Sequence, residues 1–175
     1  MKNILIVVDM QEGFLYDEQT KHLKSCVVEL LEKNIFDAVI ATRFLNEKGS
    51  IYEKLFDWKQ LEREEERSIA KDIIEHVDYV ADKYNTSFIQ RLCQLNEGEY
   101  PEKVFVLGVD TNCCVLSIAT ALYENNIRPI VLTQYVDSTG GNNSHEAGLL
   151  CMKRIIGEKQ LSNVIPQSKE DLNKI

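Results

Sequence analysis

Four runs of the chain are apolar with almost no polar interruption: Ile4-Leu5-Ile6-Val7-Val8, Ala38-Val39-Ile40-Ala41-Thr42, Val104-Phe105-Val106-Leu107 and Pro129-Ile130-Val131-Leu132. Strands that are half-solvated alternate apolar and polar residues; continuous runs of this length belong to strands buried on both faces of a parallel sheet. Two weaker segments complete the set: His76 to Ala81, leading into Asp82-Lys83, and Asn163-Val164-Ile165 as a short last strand. Between them the apolar spacing turns helical. Leu23, Val27, Leu30 and Leu31 mark a helix over about 20–33, and Val115, Ile118, Ala119 and Leu122 mark another that starts near Cys113. Asn85-Thr86 can cap a helix over 87–95, Ser144 can cap one reaching about Gly157, and the tail from Ser168 reads as a fraying helix. Six strands alternating with helices predict a doubly wound, three-layer α/β/α fold around a mostly parallel six-stranded sheet, with right-handed crossovers.

That architecture decides which residues can meet. In a parallel sheet the carboxyl ends of the strands share one edge, where ligands of open α/β folds bind. The first strand delivers Asp9, Met10 and Gln11 there, the third delivers Lys83, and the fourth ends at Gly108 in the turn Gly108-Val109-Asp110-Thr111-Asn112-Cys113-Cys114. A cysteine in that turn lies at the amino end of a helix, whose N–H groups favour a thiolate and can hold an oxyanion. Cys113 and Cys114 are thus candidate nucleophiles, or else small buried hydrophobes, a common fate of free cysteine. An acid, a cation and a thiol are brought to one edge from distant parts of the chain. His145, in the first turn of its helix and without a second histidine or a spaced acid, is read as structural. The irregular segment from Asn46 to Arg67 holds Tyr52, Leu55, Phe56 and Trp58, which can line a pocket, cover the sheet edge or meet another subunit; packing is the simplest of these. Glu62 to Arg67 is a charge run that reads as a solvated face.

Composition narrows the partners. A chain of 175 residues with 44% hydrophobic and 27% charged residues suits one globular domain over 1–175. The net charge of −8 argues against nucleic acid or an anionic membrane as partner. With no apolar run of membrane-spanning length and no signal-peptide pattern after Met1, a cytoplasmic location is expected. Five cysteines without CxxC spacing suit reduced thiols and not a disulfide framework.

Three stretches taken together, VVDMQEGF at 7–14, DKYNTSF at 82–88 and GVDTNCCV at 108–115, resemble the isochorismatase-like cysteine hydrolases, which include nicotinamidases and N-carbamoyl amidohydrolases. The corresponding family motifs are D-x-Q, K-x-x-x-S-x-F and G-V-x-T-[DN]-x-C-V, and the resemblance spans essentially the whole chain. It implies Cys114 as nucleophile, Asp9 as general base and Lys83 as third member of a triad, with Cys113 at a variable position. It also implies a cis peptide between Val109 and Asp110, an oxyanion hole from the N–H groups of Asp110 and Cys114, and a homo-oligomer. Gln11, Phe14 and Asn46 are the candidates for substrate contact. Nicotinamidases carry a D-x-H-x-x-x-x-x-H type metal motif after the second strand; this chain has Arg43 to Ser50 there and no histidine, so neither metal nor cofactor is expected. The expected function is cleavage of an amide or ureide C–N bond in a small molecule through a thioester. The alternatives are an isochorismatase-type ether hydrolase using Asp9 and Lys83, and a non-enzymatic binding or thiol-switch protein on the same fold.

Overall fold

The structure is a computed structural model that describes residues 3–84, 92 and 98–175. Its centre is a six-stranded sheet of β1 (Ile4–Val8), β2 (Ala38–Phe44), β3 (Tyr79–Lys83), β4 (Lys103–Val109), β5 (Arg128–Asp137) and β6 (Leu161–Ser162), in the order β3-β2-β1-β4-β5-β6. Every pairing is parallel. Successive side chains of a strand point to opposite faces, so the aliphatic runs supply two cores at once. Leu5, Val7, Phe105 and Leu107 pack on one face with Leu23, Val27 and Leu30 of α1 (Glu18–Leu31). Ile4, Ile6, Val8, Val104 and Val106 pack on the other, with Ile118 and Leu122 of α5 (Leu116–Glu124) and Met152 of α6 (Asn142–Ile155). Helix α1 begins where Asp17 accepts from the Thr20 N–H at 2.7 Å, satisfying a donor that the first turn would otherwise leave unpaired. Three short helices, α2 (Ile51–Phe56), α3 (Glu64–Arg67) and α4 (Lys71–Ile74), fill the long connection from β2 to β3.

The strand order reverses between β1 and β4, which opens the crevice of a doubly wound sheet at that point. Gly108, paired with Val8 across this boundary, has φ of +116°, and a Cβ there would lie 2.2 Å from the Val8 carbonyl oxygen. Only glycine lets the two strands stay this close at their carboxyl ends.

Several boundaries differ from the sequence expectation. The third strand starts at Tyr79, later than the expected His76, and ends at Lys83 as expected. The fourth continues through Gly108 to Val109, and the fifth runs on to Asp137 after a register shift opposite Val106 and Gly108. Helix α6 starts at Asn142, ahead of Ser144, and the last strand is Leu161–Ser162, two residues before the expected one. The C-terminal helix α7 (Lys169–Lys174) is not frayed: Ser168 and Asp171 form a reciprocal capping box and Leu172 is fully buried. The helix expected over 87–95 lies, Leu92 apart, outside the described residues. No helix among the described residues is long and apolar enough to cross a membrane.

Candidate active site

At the carboxyl edge of the sheet, Asp9 follows β1 with φ of +48°, a left-handed conformation that Asp tolerates better than most residues. The Thr42 hydroxyl at the end of β2 fixes it twice, accepting from the Asp9 N–H at 3.1 Å and donating to Oδ1 at 2.6 Å. Lys83 comes from β3, beyond β2, and its Nζ lies 2.8 Å from Asp9 Oδ2 and 3.4 Å from Cys114 Sγ. The register that aims Lys83 inward also turns Asp82 outward, where it forms a two-pronged ion pair with Arg43 of β2. That pair fastens the edge strand beside the site.

Cys114 sits in a wide turn of π-helical geometry, Thr111–Val115, that leads into α5. Turns of this kind inside helices gather at functional sites. The Val115 and Cys113 N–H groups both donate to the Asp110 carbonyl, at 3.0 and 3.1 Å, and the Val109–Asp110 peptide is cis. The regular helix therefore starts three residues later than its expected beginning near Cys113. Helix α6 braces the turn from below. A Cβ on Gly148 would stand 2.7 Å from backbone atoms of Thr111 and Asn112, so the helix lies directly against the turn. The His145 ring Nδ1 is 2.9 Å from the Thr111 hydroxyl, a structural contact of the kind expected for that residue.

The electrostatics correct one expectation. Burial and the Asp9 charge push the Cys114 thiol well above the usual cysteine range, and Lys83 only partly opposes them. Both influences favour the thiol over the thiolate that a helix terminus by itself would stabilise. Burial by itself would lower the Lys83 pKa, but the Asp9 charge and the contacts with Asp9 and Cys114 outweigh it and raise it, so the ammonium stays charged. Asp9 Oδ2 is the charge partner of Lys83, while Oδ1 is taken by the Thr42 hydroxyl.

Beside Cys114 lies a cavity of about 350 Å³ walled by the rings of Phe14, Phe44, Tyr52, Phe56 and Trp58. Cys114, Asp110 and Thr139 reach it from the opposite side. Of the substrate-contact candidates, only Phe14 is on the wall. Gln11 is fully buried behind it: its Nε2 donates to the Phe44 and Arg67 carbonyls at 3.0 and 2.9 Å, and its Oε1 accepts from the Phe44 N–H at 2.7 Å. Asn46 is likewise behind the wall, donating to the Trp58 and Gln60 carbonyls and accepting from Ser50. Both position aromatic residues and have no polar group left for a ligand. Thr139 and Phe44 are not identifiable as site residues in the sequence; of the other rings, Phe14 is a candidate there, and Tyr52, Phe56 and Trp58 can line a pocket but read most simply as packing. Asp110 has a second feature the motif did not reveal, a side chain that accepts from the Thr139 N–H at 2.7 Å and hydroxyl at 2.8 Å. Among the described residues no group of three or more His, Cys, Asp or Glu stands close enough to hold a metal ion.

The all-parallel sheet carries a cysteine turn at its switch point beside an acid and a lysine, and a family model spans the whole of this arrangement. The Isochorismatase domain matches residues 3–164, so the chain belongs to the isochorismatase family and is a hydrolase. Among solved structures it is similar to an isochorismatase-like hydrolase from Alkaliphilus metalliredigens, with a TM-score of 0.75 and 17% identity over 89% of this chain and 92% of that one. A nicotinamidase from Bacillus subtilis gives 0.73 at 16% identity over 90% and 97% of the two chains. An N-carbamoylsarcosine amidase from Thermoplasma acidophilum gives 0.71 at 18% over 90% and 94%. At these identities the likeness is one of fold. No curated protein sequence matches the chain.

Proposed function

We propose that this hydrolase cleaves the C–N bond of a small amide or ureide through a thioester on Cys114. The observation that carries the reading is the contact of Lys83 with both Asp9 and Cys114, with Cys114 lining an aromatic-walled cavity. Because the site favours the thiol, Asp9 takes its proton as Sγ attacks the carbonyl carbon, so that no free thiolate accumulates. Lys83 stays beside both groups while negative charge passes from the carboxylate to the sulfur and on to the carbonyl oxygen. The N–H groups of Asp110 and Cys114 hold the tetrahedral oxyanion; losing one such donor typically costs about a hundred-fold or more in rate. When the C–N bond breaks, the amine leaves with the proton held by Asp9. Water then adds to the thioester, Asp9 takes a proton from it, and the expelled sulfur recovers that proton as the acid departs. The fold likeness to a nicotinamidase and an N-carbamoylsarcosine amidase supports amide chemistry as the class.

The test is intact-protein mass spectrometry after acid quenching of the enzyme with a panel of small amides and ureides. An added acyl mass on Cys114, absent from Cys114→Ala, is expected. Undiminished turnover by Cys114→Ala would overturn the thioester route and leave Asp9 and Lys83 to act without the thiol.

A further inference from the structure

The cavity has an unequal distribution of charge. Its described lining includes five aromatic rings and a single ionisable carboxylate, Asp110, whose side chain is partly exposed to the cavity. Both Asp110 oxygens accept from Thr139, but a carboxylate has about four lone-pair directions and so keeps acceptor capacity for a ligand. The nearby cation, Lys83, does not offset it: the ammonium is almost completely buried and already paired with Asp9. Arg43 and Arg67 are also engaged, Arg43 with Asp82 and Arg67 with the carbonyls of Leu61 and Glu62. Neither belongs to the cavity lining. Aromatic faces attract cations through the ring quadrupole, and a carboxylate at the rim of the same space adds a second attraction of the same sign.

We infer that Asp110 is a specificity-determining residue that selects substrates bearing an ammonium or similar cationic N–H donor group and rejects those bearing a carboxylate. The inference deepens the reading of this cavity as the substrate site and rests on it. The ring wall takes the apolar body of the substrate, Asp110 takes the cationic nitrogen, and the scissile carbonyl lies over Cys114. An anionic substrate would bring like charge toward Asp110 without a free cation among the described lining residues to compensate.

Binding can be measured without turnover, using three compounds of nearly equal size that contain no amide: benzylamine, benzyl alcohol and phenylacetate. The chain has one tryptophan, Trp58, which lies in the cavity wall, so quenching of its emission reports occupancy. Benzylamine should bind about five-fold or more tighter than benzyl alcohol, and phenylacetate about ten-fold weaker than benzyl alcohol, at low ionic strength. In Asp110→Asn the three affinities should converge to within about two-fold while benzyl alcohol is held as before. Phenylacetate binding as tightly as benzylamine to the native chain would overturn the inference, as would an unchanged order in Asp110→Asn. Should that variant lose its cooperative melting transition, Asp110→Ser takes its place, and the order on the native chain still decides whether the cavity prefers the cation. Failure of the thioester reading would appear only in the acyl-adduct experiment, since none of these probes can be hydrolysed.

Discussion

Replacing Lys83 with Met removes the ammonium from between Asp9 and Cys114 while nearly conserving its volume. Asp9 is fully buried, and the Lys83 side chain is 4% exposed, so the carboxylate would be left in a low-dielectric site without its counter-charge. Breaking a buried pair by deleting one partner typically costs about 3–5 kcal/mol. With a urea m value of about 2 kcal/mol/M, a loss of about 3 kcal/mol lowers the unfolding midpoint by about 1.5 M. Asp9→Asn in the Lys83→Met background removes the orphaned charge and should recover about half of that loss or more, giving a coupling of about 1.5 kcal/mol or more in the double-mutant cycle. The pH dependence has a definite sign. Lys83 has a raised pKa in the fold, so the native state holds this proton more tightly than the unfolded chain. Its contribution is complete below the ordinary lysine value of about 10.4 and fades as pH rises through the folded value. The native midpoint should therefore fall more steeply than that of Lys83→Met above about pH 10.4. Urea titrations at pH 7.5 and across pH 9–11 measure both effects; a single-variant loss below about 1 kcal/mol with no coupling would refute the reasoning.

Iodoacetamide at pH 8, followed by peptide mapping, should modify the exposed Cys113 and Cys151 before Cys114, whose thiol is largely buried and held protonated; first labelling of Cys114 would contradict the electrostatics described above. Gly148→Ala places a methyl group against the Thr111–Asn112 backbone, so it should cost about 1–3 kcal/mol in thermal unfolding and lower kcat by displacing Cys114, with wild-type values of both counting against the brace. Prolonged chelator treatment followed by dialysis should leave hydrolysis unchanged; activity lost and then restored by zinc would show that a metal takes part. Ile51, Leu55 and Phe56 of α2 expose 60, 67 and 71% of their surface, and a dimer or larger oligomer is expected to cover them; sedimentation at the monomer mass of 20.1 kDa at micromolar concentration would exclude it.

The strands were legible because burial on both faces leaves a mark that needs no tertiary information: an uninterrupted aliphatic run, as in Ile4–Val8 and Val104–Leu107. The three polar residues at the strand ends were legible through motif and topology together, and the structure does bring Asp9, Lys83 and Cys114 into contact. The cavity wall was not. Residues 46–67 are held by side chains reaching carbonyls far along the chain, Asn46 to Trp58 and Gln60 and Arg67 to Leu61, and such bonds leave no periodicity. Gln11 was misread for the same reason: a polar residue beside a catalytic-edge Asp looks like a ligand contact until its three buried hydrogen bonds to Phe44 and Arg67 are seen. The protonated state of Cys114 depends on how deeply the turn is buried, which local sequence does not encode. The firm end of the chain was the one error the sequence itself could have prevented, since Ser168-x-x-Asp171 is a capping pattern.

Lys83 belongs to the outermost strand on its side of the sheet, while Asp9 belongs to the first strand and Cys114 follows the fourth. Neighbouring strands are about 4.8 Å apart, so the β3 and β1 backbones are about 10 Å apart, and the Lys83 and Asp9 side chains together close that distance over β2. Among the described residues strand β3 pairs only with β2, and most of its side chains are exposed. A segment attached along one border opens at lower free energy than the centre of a sheet. Activity should therefore disappear at denaturant concentrations that leave the four inner strands protected in hydrogen exchange, making turnover an early reporter of fraying at a border that contributes little to the two hydrophobic cores.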